Sequence, residues 1–180
     1  MDDKKIGDND VVFAIATGGT TPFVHGALRR AKQRGARTVF LACVPKDQVT
    51  DDADVSIRVV TGPEVVTGST RMKAGTATKM VLNMVSTIAM VQVGKVYQNL
   101  MVDVNTRANA KLVDRGIRMI QTITGVDRDE AKALLESAGG RVKTALVMHS
   151  RKVDRPAAEA LLEDADGHVG RIIDSATVIG

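Results

Sequence analysis

The chain is poor in aromatic residues, with no tryptophan, one tyrosine and three phenylalanines among 180 residues. So few rings suit a base-stacking nucleic-acid surface poorly, and they leave Val, Ile, Leu, Met and Ala to build the core. A single cysteine, Cys43, excludes an intrachain disulfide. It ends the apolar run Thr38-Val-Phe-Leu-Ala-Cys43 and reads as a buried structural thiol. No dense block of one charge is present; the formal charge of +4 is spread along a mixed, solvated surface, and no nucleic-acid partner is expected. The opening Met1-Asp-Asp-Lys-Lys lacks an apolar signal region, and no uninterrupted apolar run approaches membrane-spanning length. A soluble, cytoplasmic protein without a membrane partner is the expectation. The three histidines, His25, His149 and His168, stand apart on helices or their ends without ligand spacing, so neither a metal site nor a Ser-His-Asp arrangement is expected.

Hydrophobic residues nevertheless make up 44% of the chain, enough for a real core. Val11–Ala16 is a short, continuously apolar run closed by glycines and reads as a strand buried on both faces. Phe23 to about Arg34 reads as a helix, with Pro22 suited to its first turn and Gly35 to its stop. Thr38–Cys43 and the weaker Ser56–Val60 read as further strands. Strand, helix and strand at this spacing imply a parallel crossover. From about Thr70 to Val93, Met72, Ala77, Met80, Val81, Met84, Val85, Ile88 and Val91 recur at helical spacing. The chain has eight methionines, and core packing is expected of most of them.

After Asn105 the pattern is helical throughout. The stretch Val126–Val142 reappears as Val153–Val169, 27 positions on, each copy offering an Asp cap, a Leu-Leu pair, a glycine stop and the start of a second helix. Two copies fit a compact helical appendage and not a solenoid. The expected fold class is therefore α/β. A partial doubly wound parallel sheet with a long helix occupies 1–104, and a small all-helical domain occupies 105–180. The first strand sharpens this picture: it is apolar on both faces, yet nothing precedes it to pair on one side, so the chain reads as the second half of a larger sheet.

Two polar loops carry the chemistry. In Thr17-Gly18-Gly19-Thr20-Thr21-Pro22 the glycines end a strand and lead into a helix, a geometry that lets backbone N–H groups face an anion while three threonines add hydroxyls. A tight turn with capping threonines explains the same residues. Neither a Walker A loop nor a dinucleotide fingerprint is present. The second loop, Thr61 to Lys79, places Ser69 or Thr70 as a cap of the long helix and two cations, Arg71 and Lys73, in its first turn. Cations there oppose the helix dipole and suggest an anionic ligand. Glu64 can accept hydrogen bonds from sugar hydroxyls, act as a base, cap the helix or pair with Arg71.

The run Gly62-Pro-Glu-Val-Val-Thr-Gly-Ser-Thr-Arg-Met-Lys-Ala-Gly-Thr-Ala-Thr-Lys-Met-Val-Leu-Asn-Met-Val-Ser86 resembles the signature of the N-acetylmuramic acid 6-phosphate etherases. Gly94–Val104 is similar to their next block and the helical repeat to their C-terminal domain. These proteins carry a sugar isomerase (SIS) domain, with the glucokinase regulatory protein as a relative. The resemblance implies a carbon–oxygen lyase that cleaves the D-lactyl ether of N-acetylmuramic acid 6-phosphate to N-acetylglucosamine 6-phosphate and D-lactate, in peptidoglycan amino sugar recycling. An acid/base carboxylate pair does the chemistry, with no cofactor and no metal. It further implies that two proton-transfer glutamates and a glycine- and serine-rich phosphate loop belong to a preceding part that maps onto no position here, which leaves Glu64 as the motif's catalytic candidate.

The phosphosugar-binding residues it points to are Thr17, Gly18, Gly19, Thr20, Thr21, Glu64, Ser69, Thr70, Arg71 and Lys73. The family's Ser-Gly-Arg-Thr-Pro loop reads Gly18-Gly19-Thr20-Thr21-Pro22 here, without the serine hydroxyl and the arginine; Thr17 partly replaces the former. The expected partners are a phosphorylated amino sugar and either a second copy of the chain or an N-terminal half chain. A non-catalytic phosphosugar-binding or regulatory module is the alternative to an enzyme.

Overall fold

The computed structural model describes residues 4–106 and 109–177. The chain divides into two compact units, Met1–Val85 and Ser86–Gly180, and the division falls inside a long helix.

The first unit holds three strands, β1 (Val11–Ile15), β2 (Arg37–Ala42) and β3 (Val55–Arg58), in the order β1-β2-β3, parallel throughout. Helix α1 (Pro22–Gln33) makes the first crossover. It starts at Pro22, whose missing N–H costs nothing there, and ends before Gly35 in the left-handed region. Leu28 of α1 packs with Ala14, Ala16, Phe40 and Ala42 in the core of this unit. The central strand β2 is the most buried, and Thr38 on it is fully enclosed. Burial of that threonine is tolerable because its amide and hydroxyl both donate to Asp54 Oδ2 at 2.7 Å, while its hydroxyl accepts from the Asp54 amide at 3.0 Å.

β1 pairs with β2 alone among the described residues, so it forms an edge, as its sequence context suggested. The expected burial on both faces does not hold. Val11 is 63% exposed and only Ala14 of the strand is buried. An apolar edge strand of this kind presents an open hydrogen-bonding ladder.

Helix α2 (Lys73–Gln92) runs through the division between the units. Here the core role expected of the methionines fails. Met72, Met80, Met84 and Met90 are exposed, with Met84 at 53%, and so are Ile88 and Val91, while Ala74 and Val81 are the buried residues of the helix. Helical periodicity marks an apolar stripe, but it does not say that the same chain supplies the layer that covers it. In the second unit Met119 does pack in a core.

The second unit continues with α3 (Ala110–Thr124), α4 (Arg128–Ser137), α5 (Val142–Arg151), α6 (Arg155–Asp164) and α7 (Val169–Thr177). The sequence repeat is a structural one. Asp127 and Asp154 cap α4 and α6 by accepting from the amides of Glu130 and Ala157, and α5 and α7 follow in register. Asn109 caps α3 in the same way. Ile117, Ile120, Leu135, Val142 and Leu146 form the main core. Gly116 allows the close approach: a Cβ there would sit 2.7 Å from Thr106 Cγ2. The hydroxyl of Tyr97 donates to Asp174 at 2.8 Å; burial first, then the Asp174 carboxylate, raises its pKa.

Candidate functional site

The strands of the first unit are parallel, so the turn after β1 and the segments after β2 and β3 emerge at one edge of the sheet, the usual place for a ligand in open α/β folds. Gly19 adopts φ +78°, a conformation that favours glycine, and its amide donates to the Ala16 carbonyl at 2.8 Å. Two further contacts pin it. His25, one turn into α1, donates from Nε2 to the Gly19 carbonyl at 2.6 Å, and the side chain of Val49 lies against the Gly19 Cα, where an added Cβ would meet Cγ1 at 3.0 Å. Gly18 has open space around it. Thr21 sits at the cap position of α1 with its carbonyl accepting from the amides of Val24 and His25. Among the described residues the hydroxyls of Thr17, Thr20 and Thr21 have no hydrogen-bond partner, and Gly18, Thr20 and Thr21 are exposed.

The Val49 contact depends on an ion pair within the same unit. Arg58 Nη2 donates to the Val49 carbonyl at 2.8 Å and to Asp51 Oδ2 at 2.5 Å, and its Nε donates to Ser56. The guanidinium also lies 5.0 Å from the Phe40 ring centroid, and His25 stacks obliquely on the same ring at 5.4 Å. The Asp51 side chain is only 1% exposed. Burial pushes its carboxyl up, but hydrogen bonds from Ser56, Arg58 and the Ala53 amide, with the Arg58 charge, outweigh that and hold it below the ordinary carboxylate value.

The second loop is organised by Glu64. Its Oε2 accepts from the Lys73 amide at 3.0 Å and its Oε1 from the Ala74 amide at 3.1 Å, so it satisfies the first turn of α2. Those two amides, first Lys73 and then Ala74, hold its carboxyl below the ordinary value, which makes it a weaker base. Among the four roles its position in the sequence allowed, capping is the one this geometry displays. The expected caps, Ser69 and Thr70, do not serve, because α2 begins at Lys73 and the cap is contributed from nine residues back. Arg71 therefore lies ahead of the helix and not in its first turn. The Lys73 ammonium donates to the Pro63 carbonyl at 2.9 Å, closing the loop.

Thr67, Gly68, Ser69, Thr70 and Arg71 line an open hollow of about 470 Å³, with Gly68 at φ +84° shaping its wall. Among the described residues Arg71 has no ion-pair or hydrogen-bond partner. No residue of the Thr17–Thr21 turn lines this hollow. The two loops are tied through Cys43 instead. The Thr17 carbonyl accepts from its amide at 2.8 Å, and its buried thiol lies 3.8 Å from both the Ala74 carbonyl and the Thr78 hydroxyl on α2.

His25, Val49, Asp51 and Arg58, which fix the Gly19 turn, were not singled out by motif. The one signal was an arginine ending an otherwise apolar strand segment, since a buried cation requires a counter-ion. Among the described residues no group of three or more His, Cys, Asp or Glu side chains could hold a metal ion, and no helix is long and apolar enough to cross a membrane.

A family model described as the SIS domain matches residues 1–88. A protein of Nostoc punctiforme named N-acetylmuramic acid 6-phosphate etherase is 59% identical over 140 residues, which is 78% of this chain and 45% of that protein. Proteins of the same name from Thermosynechococcus vestitus and Synechocystis sp. are 58% and 56% identical over 147 residues, each covering 82% of this chain and 47% and 48% of the respective relative. The chain spans about half the length of the curated relatives it matches. The three-stranded parallel sheet followed by helices is consistent with part of a SIS fold and a helical portion.

Proposed function

Since residues 1–88 of this chain match the SIS-domain family model, we propose that it is the C-terminal part of an N-acetylmuramic acid 6-phosphate etherase, 1–104 completing the SIS domain and 105–180 forming a helical domain, and that it acts in cytoplasmic recycling of cell-wall amino sugars. The ligand is a phosphorylated amino sugar. The observation that carries the reading is the hollow at Thr67–Arg71, where an unpaired guanidinium stands among three hydroxyls. Arg71 takes the anionic group of the sugar, with Ser69 and Thr70 donating beside it. The Gly18 amide and the free hydroxyls of Thr17, Thr20 and Thr21 supply a second set of donors. Lys73 closes the loop, and Glu64 orders it by holding the start of α2. The depressed pKa of Glu64 argues against proton transfer as its main task.

Titration calorimetry with N-acetylmuramic acid 6-phosphate tests this. Arg71→Ala is expected to weaken binding about 10- to 100-fold, the loss of one hydrogen-bonded charge pair. Unphosphorylated N-acetylmuramic acid is expected to bind no better to wild type than to the variant. Equal affinities for the phosphorylated sugar would overturn the assignment. A D-lactate assay on the same samples separates catalysis from binding without turnover, the second reading, which the low Glu64 pKa favours for this portion taken alone.

The reading also assigns a partner, a second copy or an N-terminal half chain, to the outer edge of β1 and the bare apolar side of α2. Light scattering is expected to show association that Met84→Lys with Ile88→Lys abolishes. A concentration-independent monomer would count against it.

A further inference from the structure

The second unit holds a hollow that the proposed sugar site does not use. It has a volume of about 430 Å³ and lies where the segment before α3, the start of α5 and the side of α6 meet. Helices α3, α4 and α6 are each capped by an Asn or Asp side chain, whereas the cap residue of α5 is Arg141, which makes no side-chain cap. Among the described residues nothing accepts from the amides of Lys143 and Thr144, and both residues line the hollow; the Val142 amide is turned to the Val104 carbonyl by the antiparallel bridge between Asn105 and Arg141. Thr144 supplies an independent observation. It is only 2% exposed, yet among the described residues its hydroxyl has no hydrogen-bond partner. Its oxygen is not sealed off, since Arg58 Nη1 is the fully buried side-chain atom without a partner among the described residues, so the hydroxyl is open to a partner in the hollow.

The charges bear on the sign of that ligand. Asp103 faces two cations, Lys95 at 3.1 Å and Lys143 at 3.5 Å. Glu159 also faces two, Arg155 at 2.8 Å and Arg141 at 3.4 Å. Each carboxylate is thus held by one cation that lines the hollow and one, Lys95 or Arg155, that stands outside the lining, so both are neutralised and the uncapped amides, which carry the positive end of the helix dipole, set the sign.

We propose that this hollow is a second ligand site, for a small dianion carrying a phosphate group, held by the amides of Lys143 and Thr144, the Thr144 hydroxyl and the flanking Arg141 and Lys143. The hollow exceeds what a bare phosphate fills, and Asp103 and Glu159 can accept from hydroxyls of an attached polyol. The proposal does not depend on the etherase reading, since every group it names lies within the second unit.

Residue-resolved NMR on the full chain tests it, using inorganic phosphate and glucose 6-phosphate as probes and chloride at matched ionic strength as the control. Saturable shifts of the Lys143 and Thr144 amides are expected with both phosphates, tighter for the ester. Saturation by inorganic phosphate alone would still establish the site and identify free phosphate as its occupant. Thr144→Val keeps the shape and removes the hydroxyl, and is expected to weaken binding at least about ten-fold. If that variant loses its fold, Arg141→Gln, at an exposed position, reads the same loss of affinity. Linear, unsaturable shifts that chloride reproduces, or wild-type affinity in a folded variant, would overturn the proposal. Binding seen only at Ser69–Arg71 amides would do the same, while leaving the sugar site intact.

Discussion

Replacing Gly19 with alanine separates the two glycines of the first turn on physical grounds. At φ +78° an L-residue clashes with its own following carbonyl, at a cost of about 1–2 kcal/mol. The new methyl also meets Val49 at 3.0, 3.1 and 3.3 Å from Cγ1, Cβ and Cγ2. Val49 cannot retreat freely, because Arg58 holds its carbonyl. Overpacking of this kind adds about 1–3 kcal/mol. The expected loss is therefore about 2–5 kcal/mol, and with a urea m-value of about 2 kcal/mol/M the midpoint falls by about 1–2.5 M. Gly18→Ala is the internal control. Nothing lies within 4 Å of its added methyl, so its stability stays within about 0.5 kcal/mol of wild type. Urea unfolding followed by far-UV circular dichroism measures both. A Val49→Ala background removes the contacts to Cγ1 and Cγ2 and leaves only the Cβ at 3.1 Å, so the Gly19→Ala cost should shrink toward the backbone part, about 1–2 kcal/mol. If Gly19→Ala costs no more than Gly18→Ala, or if Val49→Ala leaves its cost unchanged, the account of this turn is wrong.

Asp51→Asn leaves Arg58 as a buried charge without its counter-ion, and is expected to cost about 3–5 kcal/mol at neutral pH in the same assay; a loss under about 1 kcal/mol would mean that the pair is solvated. Because the folded pKa of Asp51 is lowered, its contribution is present above the unfolded carboxylate value and disappears as pH falls through the folded one, so the wild-type and variant midpoints should converge in acid. Glu64→Gln follows the same sign. Its folded pKa lies below the ordinary 4.5, so the stabilisation it gives the start of α2 is complete above that value and lost on acidification, and a wild-type advantage that grew as pH fell would contradict the cap. Gly116→Ala drives a methyl to 2.7 Å from Thr106 Cγ2 in the core of the second unit and is expected to lower its thermal midpoint, at about 1–3 kcal/mol; an unchanged midpoint would show that α3 can shift.

Local chemistry in the chain was enough to place most elements. Apolar runs located the strands to within a few residues, Pro22 and Gly35 bounded α1, and the Asp127 and Asp154 caps located α4 and α6. What stayed hidden was set by distance along the chain. Capping was one of several roles open to Glu64, but its reach to an amide nine positions on, the bond from His25 to a carbonyl six positions earlier and the pairing of Asp51 with Arg58 across a loop have no fixed sequence spacing. Composition misled on α2, because a methionine stripe has the same periodicity whether or not its covering layer is present. The two polar loops stood out in the sequence, while their link through Cys43 did not.

The tandem arrangement of α4–α5 and α6–α7 has a kinetic consequence. Each helix there meets neighbours separated by only a few residues of chain, so little loop-closure entropy precedes the first favourable contact. Val11 must find Arg37 before the sheet can begin. The helical half is therefore the quick partner, collapsing on the microsecond-to-millisecond scale typical of local topologies, and the strands are the slow step of the whole chain's folding.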